Sequence, residues 1–203
     1  GGGTIEGLGW TWWFNYTTNA SNTWAHQRPK LMEFVDCVGV RVSNVTLQNS
    51  PFWTLHPIFS SKVELTHLTI RAPRDHGNTD GVDPDSCNDV YVADTLIDVG
   101  DDAVSVKSGL HWKTREKVPA ANYLFERVTI LFRNFAIGSS VSGDVRNITF
   151  RDSTIGDDKG SSPWAIKLKT DSQEGGVVDG IYFSNIRLGL ITFCGSSKFV
   201  FPK

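Results

Sequence analysis

One short phrase recurs along this chain and constrains its fold more than any other feature. It appears as Asn44-Val45-Thr46-Leu47, His67-Leu68-Thr69-Ile70, Arg127-Val128-Thr129-Ile130, Asn147-Ile148-Thr149-Phe150 and Asn185-Ile186-Arg187-Leu188. The segment from Val90 to Ile97 reads as a sixth, degenerate copy, and successive copies lie 23, 27, 33, 20 and 38 residues apart. Each copy alternates with period two and is rich in β-branched residues, which indicates strand rather than helix. No stretch combines a sustained 3.6-residue apolar period with caps at both ends, so little helix is expected. An antiparallel sandwich would want tight Asn-Gly or Asp-Gly hairpins between neighbouring copies, but Asp80-Gly81 and Asp179-Gly180 lie within longer links. The expectation is an all-β chain folded as a right-handed parallel β-helix (a solenoid) of about six coils, each hiding its apolar face only against its neighbours. Residues 1–203 read as one domain of this kind, an interior part of a longer catalytic domain truncated at both ends.

Charge and composition exclude other classes. Lys plus Arg is 20 and Asp plus Glu is 22, for a net charge of −2. That balance offers no basic stripe for nucleic acid. No apolar run approaches the roughly 20 residues of a membrane helix. Cys37, Cys87 and Cys194 are compatible with one bridge and a spare thiol, their pairing left open. Four N-x-[ST] sequons, at Asn15, Asn19, Asn44 and Asn147, lean towards a secreted glycoprotein. Trp10, Trp12 and Trp13 suit core packing in the first coil better than a sugar-stacking platform.

The chemistry candidates occupy two consecutive coils: Asn78-Thr79-Asp80-Gly81-Val82-Asp83-Pro84-Asp85 and Val99-Gly100-Asp101-Asp102. Asp80 and Asp101 are one coil apart, so stacking places Asp80 beside Asp101 and Asp102, roughly one strand spacing (about 4.8 Å) away. Three carboxylates so close cannot all ionise freely, and a proton-sharing set is what hydrolysis of a glycosidic bond requires. Neighbours on a regular strand face opposite ways, so Asp101 and Asp102 share a cleft only if the chain bends, for which Gly100 provides. Turn formation and Ca²⁺ binding remain open for the same carboxylates; Asp83, Asp85, Asp98 and Asp157 read as turn formers. Lys167 and Lys169 share one strand face while Ile166 and Leu168 share the other, an arrangement suited to an anionic sugar or to a solvated polar face.

These residues, in order, resemble glycoside hydrolase family 28, the polygalacturonases and their relatives. The matching text is Asn78-Thr79-Asp80-Gly81-Val82-Asp83, Gly100-Asp101-Asp102, Ala136-Ile137-Gly138-Ser139 and Lys167-Leu168-Lys169. Ser50-Pro51-Phe52-Trp53-Thr54-Leu55-His56-Pro57 and Asp83-Pro84-Asp85-Ser86-Cys87 are most similar to the plant-type and bacterial exo-acting branch. The resemblance implies hydrolysis of α-1,4-galacturonosidic linkages of pectin with inversion. Asp101 would be the general acid, Asp80 and Asp102 would activate water, and Lys167 and Lys169 would hold uronate carboxylates. It implies no metal or other cofactor, a pectic polysaccharide partner, a monomer, and a secreted or cell-wall location. Two departures stand out: Phe132-Arg133-Asn134 replaces the Gly-His-Gly of endo-acting members, and Lys167-Leu168-Lys169 replaces Arg-x-Lys. Arg133 could contact an anionic sugar, and His111 could reach the cleft. Alternatives are a non-catalytic pectin-binding β-helix, a rhamnogalacturonan hydrolase and a Ca²⁺-dependent lyase.

Overall fold

The computed structural model describes residues 2–13, 28–109, 117–157, 164–170 and 175–189. Helix among them is confined to residues 10–13, and no helix is long and apolar enough to cross a membrane. Strands run in chain order as β1 (Gly3–Glu6), β2 (Met32–Val35), β3 (Arg41–Ser43), β4 (Val45–Gln48), β5 (Leu55–Ile58), β6 (Ser61–Thr66) and β7 (Thr69–Arg71). There follow β8 (Asn88–Asp98), β9 (Val104–Val106), β10 (Ala120–Phe132), β11 (Phe135–Ile137), β12 (Val145–Ile155), β13 (Ile166–Leu168) and β14 (Val178–Leu188).

Every strand pair is parallel, which excludes the sandwich. A first sheet stacks β1, β4, β7, β8, β10, β12 and β14, with β3 and β6 as the leading halves of their coils. A second sheet joins β2 to β5 and β9 to β11 to β13, the two parts linked by bridges from Leu55 through Val82 to Val104. The chain is therefore the parallel β-helix expected, with seven first-sheet rungs among the described residues. The additional rung is β1, which pairs with β4 from Gly3↔Val45 to Glu6↔Gln48.

Register corrects one reading of the repeat. Asn44, His67, Asp94, Arg127, Asp152 and Asn185 stack at equivalent positions, each with φ between 50° and 54°. This left-handed residue bends each long strand in mid-course, a conformation Asn and Asp tolerate best. The phrase at Asn147 belongs instead to a second corner column, stacked on Asn122, whose Oδ1 accepts from Asn147 Nδ2 at 2.7 Å. The true spacings at the bend are 23, 27, 33, 25 and 33 residues.

Between bends, alternate residues point inwards. Leu65, Val92, Phe125, Phe150 and Phe183 form one continuous column, with Phe125 and Phe150 centroids 6.4 Å apart and Phe135 packed 4.7 Å from Phe150. Each buried side chain of this size contributes about 1.5–3 kcal/mol of transfer free energy. The outward face of the first sheet is laced by ions: Glu126 accepts from Tyr91 Oη at 2.7 Å and from Arg151 Nη2 at 2.6 Å. These partners hold its carboxyl down near pKa 2. The second sheet and the turns entering it carry the acids.

Candidate active site

Stacking decides where the three aspartates meet. Val82 bridges Val104, and Gly81 N donates to Asp102 O at 3.1 Å, so Asp80 lies in register with Asp102 one coil away. Asp101 and Asp102 lie on a bend just before β9 rather than within a strand, which lets both face the same way. One carboxylate oxygen from each of Asp80, Asp101 and Asp102 lies within 4.8 Å of the other two. Gly100 serves this arrangement by close approach: a Cβ there would stand 2.1 Å from His76 O and 2.6 Å from Pro73 O.

The three carboxylates differ in environment. Asp102 is buried and held on both oxygens, Oδ1 accepting from Asn134 Nδ2 at 2.9 Å and Oδ2 from the Lys169 ammonium. Asp101 is half-buried; its Oδ2 accepts from Asn78 N at 2.8 Å and its Oδ1 from Asp102 N at 2.9 Å. Asp80 is buried, and its Oδ1 has no hydrogen-bond partner among the described residues. Burial, then the neighbouring charges of Asp83 and Asp101, raise its carboxyl well above the usual range. A carboxyl with raised proton affinity thus stands beside one paired with a cation. Of the lysine pair, Lys169 reaches the trio, whereas Lys167 Nζ lies 4.6 Å from the Trp164 ring centroid. Ile166 and Leu168 pack on the core, as the strand alternation predicts.

Several participants escape the sequence reading. Asp83 and Asp85, expected as turn formers, are both fully buried. Lys107 Nζ lies 3.3 Å from Asp83 Oδ1 and donates to Ser105 Oγ at 2.7 Å. Burial raises Asp83 to about 7 against the pull of Lys107. The ammonium also lies 4.7 Å from the Trp53 ring centroid. Asp98 and Asp157 pair with Arg74 at 2.7 and 3.0 Å. The Arg133 guanidinium stacks 5.0 Å from the Phe132 centroid and donates from Nε to Gly100 O at 2.9 Å, beside the trio. A signal for Lys107 was available, since it falls at the same register position as Asp85, two residues beyond the Asp83 column.

Other expectations resolve as follows. Trp13 is buried, but Trp10 and Trp12 are exposed on a helical turn, so the three do not form one core layer. Cys37 and Cys87 are both free thiols, and burial pushes Cys87 up to about 12. Cys194, His111, Asn15 and Asn19 lie outside the described residues.

Comparison with known proteins gives the family. The family model described as Glycosyl hydrolases family 28 matches residues 1–195. A probable polygalacturonase of Vitis vinifera is 34% identical over 185 residues, 89% of this chain and 36% of that protein. The solved structure of a polygalacturonase from Erwinia carotovora ssp. carotovora superposes with a TM-score of 0.78 at 25% identity, over 91% of this chain and 49% of that one. A hyperthermoactive exopolygalacturonase from Thermotoga maritima matches with a TM-score of 0.67 at 28% identity, over 81% and 39%. The chain spans half or less of the length of these relatives. With this match along nearly its whole length, the chain belongs to glycosyl hydrolase family 28.

Proposed function

We propose that this chain carries the catalytic centre of a glycosidase that hydrolyses α-1,4-galacturonosidic linkages of pectin. The observation that carries the reading is the convergence of Asp80, Asp101 and Asp102 within 4.8 Å, with Lys169 on Asp102. Asp101, the most accessible of the three, delivers the proton to the departing glycosidic oxygen. Asp80 and Asp102 then orient the attacking water and accept its proton, so the C–O bond to the leaving sugar breaks as the bond to the water oxygen forms. Lys167, Lys169 and Arg133 supply positive charge for uronate carboxylates. Release of reducing sugar from polygalacturonate should fall roughly a thousandfold in Asp101→Asn, within the range removal of a general acid produces. Undiminished activity in that variant would overturn the assignment.

Action from a chain end is the finer part of the proposal. It is supported by Phe132-Arg133-Asn134 in place of the Gly-His-Gly of endo-acting members, and chromatography of products from defined oligogalacturonides tests it through release of monomer alone. Inversion is proposed with it, the water being activated by Asp80 and Asp102. Retention of the anomeric configuration is the outcome that would overturn inversion. The anomer first formed, read by proton NMR, separates the two. A pectic substrate and the sequons at Asn44 and Asn147 support export to the cell wall or medium.

A further inference from the structure

Arg28 is 50 residues from Asn78 in sequence, yet its guanidinium ties three successive coils together. Nη1 donates to Pro51 O and to Gly77 O, each at 3.1 Å, and Nη2 donates to Asn78 Oδ1 at 2.7 Å. The planar group also lies 5.1 Å from the Phe52 ring centroid. Asn78, in the left-handed region at φ 61°, in turn donates its backbone N–H to Asp101 Oδ2. A continuous chain of two hydrogen bonds therefore runs from Arg28 through Asn78 to the carboxylate. Trp13 braces the same segment: its ring stacks on His76 at 4.2 Å, and its Nε1 donates to Pro51 O at 3.2 Å. Among the described residues, the remaining oxygen of Asp101 accepts only from the adjoining Asp102 N–H, which moves with it.

Resting on the functional reading above, we propose that Arg28 is a positioning residue, which fixes Asn78 so that its amide aims Asp101 at the glycosidic oxygen. Three of the five N–H donors of the guanidinium are committed to two carbonyls and a carboxamide, a use of the planar fork that a lysine cannot reproduce. Misplacement of a reacting group by about 1 Å costs on the order of a hundredfold in rate, so the clamp bears on kcat rather than on substrate affinity.

The test uses the full-length protein and the variants Arg28→Met, Arg28→Lys, Asn78→Ala and the double variant Arg28→Met/Asn78→Ala. Amide hydrogen exchange should be at least tenfold faster at Asn78 in Arg28→Met, while amides of β8 and β10 keep their protection. On polygalacturonate, kcat should fall roughly 10- to 100-fold with KM within about threefold, and Arg28→Lys should recover only part of the loss. The double variant should be no worse than the more impaired single one, because both changes break one chain. Unchanged protection of Asn78, additive losses, or a raised KM with kcat intact would each overturn the proposal, the last assigning Arg28 to substrate instead. If the wild type hydrolyses no polyuronate, the functional reading fails while the exchange experiment still decides whether the clamp exists. Should Arg28→Met fail to fold, Asn78→Ala breaks the same link from the other side.

Discussion

Lys169 reaches across one intervening rung to hold Asp102: it follows β13, Asp102 precedes β9, and β11 lies between them. Asn134, entering that middle rung, takes the other oxygen. Loss of the ammonium leaves a buried carboxylate with one neutral donor. Lys169→Met should therefore cost about 1–3 kcal/mol, discounted from the value for a fully buried pair because the lysine is about a quarter exposed. For a chain of this size that is a fall in Tm of roughly 2–12 °C. Hydrolysis should fall at least about tenfold, and Lys169→Arg should preserve most of the stability. A Lys169→Met protein as stable and active as the wild type would show that the ion pair has no such role.

His56 makes stability depend on mild acid. Its ring is fully buried, Nδ1 lies 2.7 Å from Glu33 Oε1, and Nε2 has no hydrogen-bond partner among the described residues. Burial, aided by the charge of Lys30 and opposed by Glu33, lowers its pKa to about 4. Unfolded, it takes up a proton near pH 6.5; folded, it stays neutral until about pH 4. Stability is therefore lost as pH falls from about 6.5 to 4, by about 3 kcal/mol in all, and flattens below. In His56→Asn the difference between denaturant melts at pH 7 and pH 4 should shrink by about that amount. An unaltered pH slope would contradict this account.

Gly100 is fixed by space rather than by backbone freedom. A methyl group there meets two carbonyl oxygens of the preceding coil, neither of which can turn aside as a side chain would. Gly100→Ala should destabilise by about 1–3 kcal/mol and, by pushing the next residue, reduce hydrolysis more than stability alone explains. Thermal melts and initial rates measured on one preparation check both effects. Gly39→Ala is the control: its added Cβ meets nothing within 4 Å, and it carries only the left-handed penalty at φ 80°.

Much of this was legible in the sequence, for identifiable reasons. Period-two alternation and one-coil spacing place Asp80 beside Asp101 and Asp102 because stacking turns a sequence interval into proximity. The Asn147 phrase misled because each rung carries two left-handed corners, and the same run of residues suits either. Asp83 read as a turn residue because Gly-Val-Asp-Pro-Asp has turn composition, whereas Phe52, Trp53 and Lys107 crowd that face of the second sheet. Arg28 and Asn134 carried no local signal, since each acts on a partner 32 or more residues away.

The corner column also bears on how such a molecule can be remodelled. Circuits of 23 and of 33 residues return to the same φ near 52°, so stacking tolerates ten surplus residues between one bend and the next. Walls around the aspartates can thus be lengthened, trimmed or transplanted arc by arc while the scaffold beneath keeps its pitch.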